Sequence, residues 1–171
     1  DLFEEVARVV GYNNIPSSIN FTGAYGAFTQ DERALDDELR QFVSALGFNE
    51  HYSNSLNNKT EVTHFTENEP VILANPLSVE MAYLRNSLLS GLLKAVSYNE
   101  KRQNTYFKLF EVGAIHKKNE QSETNTSESF QLGLAWYGKS QLYWGIEREL
   151  DLFEVKGDLA KIFSNLKLSK I

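Results

Sequence analysis

Two runs of strand character, residues 105–116 and 129–137, flank the polar stretch 117–128. In the second run Phe130, Leu132, Leu134 and Trp136 alternate with smaller or polar residues. A two-residue period of that kind marks a strand with one face turned to a core. The polar stretch suits an exposed hairpin connection, so the two runs are expected to pair antiparallel. Their position between helical segments then limits the fold.

Residues 30–46 form the clearest of those helices. Leu35, Leu39, Phe42, Val43 and Leu46 make an apolar stripe, Asp31 and Glu32 complement the helix start, and Gly47 supplies the stop. A second long helix is predicted over 79–99, with Ser78 as N-cap. Leu84, Leu88, Leu92 and Val96 recur every four residues there, flanked by Met81, Leu89 and Leu93. Gly91 inside that helix costs about 1 kcal/mol relative to Ala, which points to a close packing contact. A last amphipathic helix is predicted over 152–166, and residues 1–12 read as the end of a helix with Leu2, Val6 and Val9 on one face. Residues 48–56 look extended, 57–68 read as a loop, and 71–74 as a short buried strand. Pro16, Ser17, Ser18, Gly23 and Gly26 mark a linker, with a domain boundary expected near Pro16. The order helix, strand, helix, antiparallel strands, helix defines an α+β domain. Asp1-Leu2-Phe3-Glu4 recurs at Asp151-Leu152-Phe153-Glu154, a similarity too short to be a repeat.

Composition narrows the function classes. A chain of 171 residues suits one domain, or one domain with a piece of another, and 42 % hydrophobic with 12 % aromatic is ordinary globular content. With no cysteine, disulfides and thiolate metal sites are excluded, in keeping with a reducing, cytoplasmic setting. No apolar run approaches the ~20 residues of a membrane span, and no leader-like series opens the chain. The sequons at Asn20, Asn58 and Asn125 are short enough to arise by chance. Asp1 stands where an initiator Met is absent, so a piece of a longer protein is expected. The net charge of −6 and the scattered basic residues make this segment alone a poor RNA binder.

Three stretches carry a family resemblance. The first is Asp1-Leu2-Phe3-Glu4-Glu5-Val6 through Tyr12 to Pro16. The second comprises Asn75-Pro76-Leu77-Ser78, Leu84-Arg85-Asn86-Ser87-Leu88-Leu89 and Gly91-Leu92-Leu93, continuing to Asn99 and Arg102. The third is Leu109-Phe110-Glu111-Val112-Gly113, with a fourth, weaker match at residues 153–159. In order and spacing they resemble the β subunit of bacterial phenylalanyl-tRNA synthetase.

The resemblance implies a degenerate class II synthetase catalytic-like fold, an antiparallel sheet flanked by helices. Residues 1–16 would be the closing helix of a preceding winged-helix-like domain plus the start of a linker. Residues 17–171 would be the catalytic-like module, truncated at its C-terminus. Residues 30–56 fit the place of motif 1. The Arg-x-Glu of motif 2, which grips ATP and amino acid, is missing from Phe110-Glu111-Val112-Gly113-Ala114-Ile115-His116-Lys117; the Gly-rich, Arg-ending motif 3 is absent too, which truncation at Ile171 alone explains. A non-catalytic module is therefore implied, inactive alone. It would support the α subunit that activates phenylalanine with ATP and charges tRNA(Phe), in an α2β2 heterotetramer. Editing of mischarged tyrosine would belong upstream, and no residue here is assigned to it.

Asp1, Glu4 and Glu5 lie at i, i+3 and i+4, a spacing that otherwise reads as acidic residues complementing a helix start. The resemblance implies that Asp1, Glu4 and Glu5 bind Mg2+ at the α–β junction, together with an Asp upstream of this chain. Arg85 and Arg102 would clamp a phosphate or carboxylate in an active site. The plainer reading, an arginine tying helix to strand through carbonyls or through Glu111, is preferred because the catalytic partner motifs are absent. His51, His64 and His116 are too dispersed for a metal motif. Trp136, Tyr137, Tyr143 and Trp144 are assigned to packing rather than to base stacking, since little basic charge lies near them. Two alternatives are carried: a tRNA-binding module, and a free-standing adenylate-forming enzyme of the same fold.

Overall fold

The computed structural model describes residues 2–20, 23, 34–65, 69–142 and 146–166. The chain divides into two compact units, residues 1–32 and 33–171.

In the first unit, helix α1 (Leu2–Val10) is followed by a 3-10 turn at Tyr12–Asn14. Gly11 N–H donates to the Ala7 carbonyl at 2.9 Å, and the Asn14 amide to the Val10 carbonyl at 2.7 Å, which closes the helix end. Leu2, Phe3, Val6 and Val9 form an apolar face that stays exposed within this unit.

The second unit is built on a four-stranded sheet of order β1-β4-β5-β6. Strands β4 (Tyr106–Lys118) and β5 (Thr126–Leu142) form the predicted antiparallel hairpin, in register from Tyr106 opposite Gly138 to Lys118 opposite Thr126. β1 (Asn49–Glu50) pairs parallel to β4, and β6 (Ile146–Glu149) antiparallel to β5. Each sheet face has its own core. On one face Phe110 and Val112 pack with Val43 of α2 (Ala34–Ala45), Phe48, and Ile162 of α5 (Leu152–Asn165). Leu132, Leu134 and Trp136 of β5 join them. On the other face Phe107, Leu109 and Ile115 pack with Leu88, and with Leu92 of α4 (Leu89–Glu100). Alternate β4 residues thus serve opposite cores, which explains its nearly unbroken burial.

The second predicted helix is shorter than expected. Residues 79–81 form a 3-10 turn, and Ser78 makes no capping bond. Tyr83–Leu84 is a strand, β3, paired with β2 (Leu56–Asn57). Leu84 N–H bonds the Val71 carbonyl and Arg85 N–H the Ser55 carbonyl, each at 2.9 Å, so long-range pairing overrides the helical period there. The helix proper starts at Leu89, whose N–H donates to Ser87 Oγ at 3.1 Å. Of residues 57–68, expected as a loop, Asn57 ends β2 and Lys59–His64 form α3, capped by Asn58 Oδ1 on Glu61 N–H at 3.1 Å, while 66–68 lie outside the described residues. Of residues 71–74, only Val71 is buried, with Ile72 making one isolated bridge to Tyr83. α2 stops at Gly47 (φ +88°) as predicted. Gln30 to Arg33 and Tyr143 to Gly145 lie outside the described residues.

Candidate functional site

The centre of the second unit holds a buried ion pair. Arg85 follows β3 and is 4 % exposed; Glu111, on the α4 face of β4, is 1 % exposed. Arg85 Nη1 lies 2.5 Å from Glu111 Oε1, and Nε donates to the Ala114 carbonyl at 2.7 Å. Ser53 closes the network. Its backbone N–H and its hydroxyl both donate to Glu111, at 3.2 and 2.7 Å, and Arg85 Nη1 lies 2.9 Å from its Oγ.

The cluster is packed shut by two glycines. A Cβ on Gly113 would come within 2.2 Å of Arg85 Nη2, and one on Gly91 within 2.5 Å of Ser53 Oγ. The close contact expected at Gly91 is therefore α4 against the 51–55 segment. Both charges are held by each other and by hydrogen bonds, the condition under which a buried pair persists. The preferred reading of Arg85 holds in its partners, a carbonyl and Glu111, but not in its element: Arg85 follows a strand rather than lying in a helix, and it ties β3 to β4. Arg102 does something else, stacking on the Tyr98 ring at 3.3 Å and donating to the Tyr98 carbonyl at the exposed end of α4.

A second buried charge cluster fixes α5 to the sheet. Lys108 Nζ lies 2.7 Å from Asp158 Oδ2 and 3.3 Å from Glu154 Oε1, and Trp136 Nε1 donates to Asp158 Oδ2 at 3.0 Å. Burial pushes the Asp158 carboxyl up, but the bonds from Lys108 and Trp136 outweigh it, leaving the pKa below the usual carboxylate range. Burial likewise opposes the Lys108 charge, and the bond and attraction of Asp158 more than restore it, raising the ammonium pKa. This pair was legible in principle. Lys108 shares its strand face with Phe110 and Val112, where an unpaired ammonium would be costly, and Asp158 lies four residues before buried Ile162.

The aromatic residues pack as expected. Trp136 meets Phe48 edge-on at 5.2 Å, and Tyr137 stacks on Phe107 at 5.0 Å while its hydroxyl bonds Glu100. Tyr143 and Trp144 are outside the described residues, as is Asp1. Glu4 and Glu5 stand in the first turn of α1, both exposed, with Glu5 paired to Arg8. Among the described residues no group of three His, Asp or Glu side chains is placed to hold a metal ion. His51, His64 and His116 lie on separate elements, and His116 faces Glu128 at 3.7 Å.

A cavity of about 510 Å³ opens beside the Arg85 cluster, between α4 and the 51–57 segment. Asn54, Asn57, His51, Lys94 and Tyr98 are among its walls.

The sheet, with α2 and α5 on one face and α4 on the other, is that of the class II tRNA synthetases. A pyrrolysyl tRNA synthetase from Desulfitobacterium hafniense matches with a TM-score of 0.57 and 15 % identity, covering 78 % of this chain and 44 % of that one. A histidine–tRNA ligase subunit from Alicyclobacillus acidocaldarius matches with a TM-score of 0.55 and 13 % identity, covering 86 % and 42 %. Sequence takes the assignment further. Residues 15–171 match the family described as the phenylalanyl tRNA synthetase beta chain CLM domain, and the chain belongs to that family. The phenylalanine–tRNA ligase β subunits of Pasteurella multocida and Bacillus subtilis are each 35 % identical to it, over 96 % and 98 % of the chain. The chain spans 21 % of the length of each. Among the described residues no helix is long and apolar enough to cross a membrane.

Proposed function

We propose that this chain is a non-catalytic structural module of a phenylalanine–tRNA ligase β subunit, holding the α subunit in the geometry in which it activates phenylalanine with ATP and charges tRNA(Phe). The observation that carries the reading is the consumption of Arg85. Its Nε and Nη1 are taken up by Ala114, Ser53 and Glu111, and its Nη2 lies against Gly113. An arginine that grips a phosphate must present donors to open space; this one presents its donors to the protein. The free-standing adenylate-forming alternative loses its central residue thereby, and the net charge of −6 disfavours a tRNA-binding module.

Exposed apolar side chains supply the contact surface. Leu35 on α2 and Leu89 and Leu93 on α4 stay exposed beside well-packed cores. In this reading the assembly is an α2β2 heterotetramer acting in the cytoplasm, and tRNA(Phe) is met through the whole enzyme. Residues 1–16 close a preceding domain, and 17–171 form the catalytic-like module.

The exposed carboxylates of Glu4 and Glu5 fit Mg2+ by chemistry. They are hard oxygen donors, and Mg2+ binds through one or two carboxylates with water completing the shell. The Glu5–Arg8 pair is exposed on both sides and opens at little cost. With Asp1 and an upstream Asp they would hold the ion at the subunit junction, where it neutralises crowded carboxylates.

The test uses the whole heterotetramer carrying Arg85→Met and Glu111→Leu together. A structural pair leaves phenylalanine-dependent ATP–pyrophosphate exchange within about twofold of the parent. Loss of one catalytic donor costs about 10²–10³ in rate, so a drop of that size with the tetramer intact contradicts the proposal.

A further inference from the structure

We draw no further inference here: the strongest candidate, the apolar groove between α3 and α4 walled by Phe65, Ser90, Leu93 and Ser97, is an unpartnered face, and nothing in the structure shows what covers it.

Discussion

Replacing Glu111 by alanine removes the acceptor that holds Arg85 and Ser53 together. The substitution deletes the 2.5 Å contact to Arg85 Nη1 and the bonds from the Ser53 hydroxyl and backbone N–H. Arg85, 4 % exposed, then keeps a full charge with, among the described residues, the Ala114 carbonyl and Ser53 as its remaining side-chain partners. Breaking one side of a buried pair costs about 3–5 kcal/mol, a large share of the ~5–15 kcal/mol of a typical domain. With a urea m-value of about 2 kcal/mol/M, the midpoint falls by about 2 M. Adding Arg85→Met removes the orphaned charge, so the double variant is expected to be less destabilised than the sum of the singles by about 1–3 kcal/mol. Equilibrium urea unfolding of the four proteins, followed by circular dichroism, measures the cycle. A single-variant cost below about 1 kcal/mol, or strictly additive costs, refutes the reasoning that this pair locks β3 to β4.

Three other outcomes are expected. Gly91→Ala gains up to about 1 kcal/mol of helix propensity. Its Cβ nevertheless meets Ser53 Oγ at 2.5 Å and Cβ at 2.7 Å, and Glu111 pins that serine, so net destabilisation of about 1–3 kcal/mol is predicted in thermal unfolding. Asn58→Ala removes the α3 cap and costs about 1 kcal/mol, while Asn58→Ser keeps the cap acceptor and costs less. Asn58→Asp sets a carboxylate against Glu61 and Glu80 and recovers less than Ser does, each read by thermal unfolding. The depressed Asp158 pKa contributes stability that is present above the unfolded value and lost as pH falls through the folded one, and the raised Lys108 pKa contributes stability lost only in strong alkali. Asp158→Asn should therefore flatten the decline in stability below about pH 4 and leave a lower plateau at neutral pH.

The hairpin, α2 and α5 were legible because each carries its own signal: alternation at Phe130 to Trp136, and apolar stripes ending at Gly47 or opening at Asp151. Residues 79–88 were not. Leu84 and Leu88 keep a helical spacing with Leu92, yet Leu84 lies in a strand whose partners, Val71 and Leu56, are far away in sequence. Local periodicity carries no information about such pairing. The α3 helix was hidden for the opposite reason: Lys59 to His64 is mostly polar, with Val62 as its one buried anchor, and Asn58 with Glu61 three residues on was the overlooked start signal. Of the site, the Arg85–Glu111 tie was readable from an arginine and a glutamate set among apolar neighbours. Ser53 was not, because only the folded chain brings residue 53 beneath Gly91. Leu88, one of the residues of the four-residue period, is 3 % exposed and belongs to the core, whereas Leu93 at 50 % is the surface residue to probe.

Whether these residues serve as a scaffold for the α subunit is decided by co-expressing them with that subunit and sizing the purified mixture. A stable complex is predicted, one that Leu93→Asp weakens without unfolding the chain. A folded chain that elutes alone, with α-subunit assembly unchanged by its presence, rules the scaffold role out.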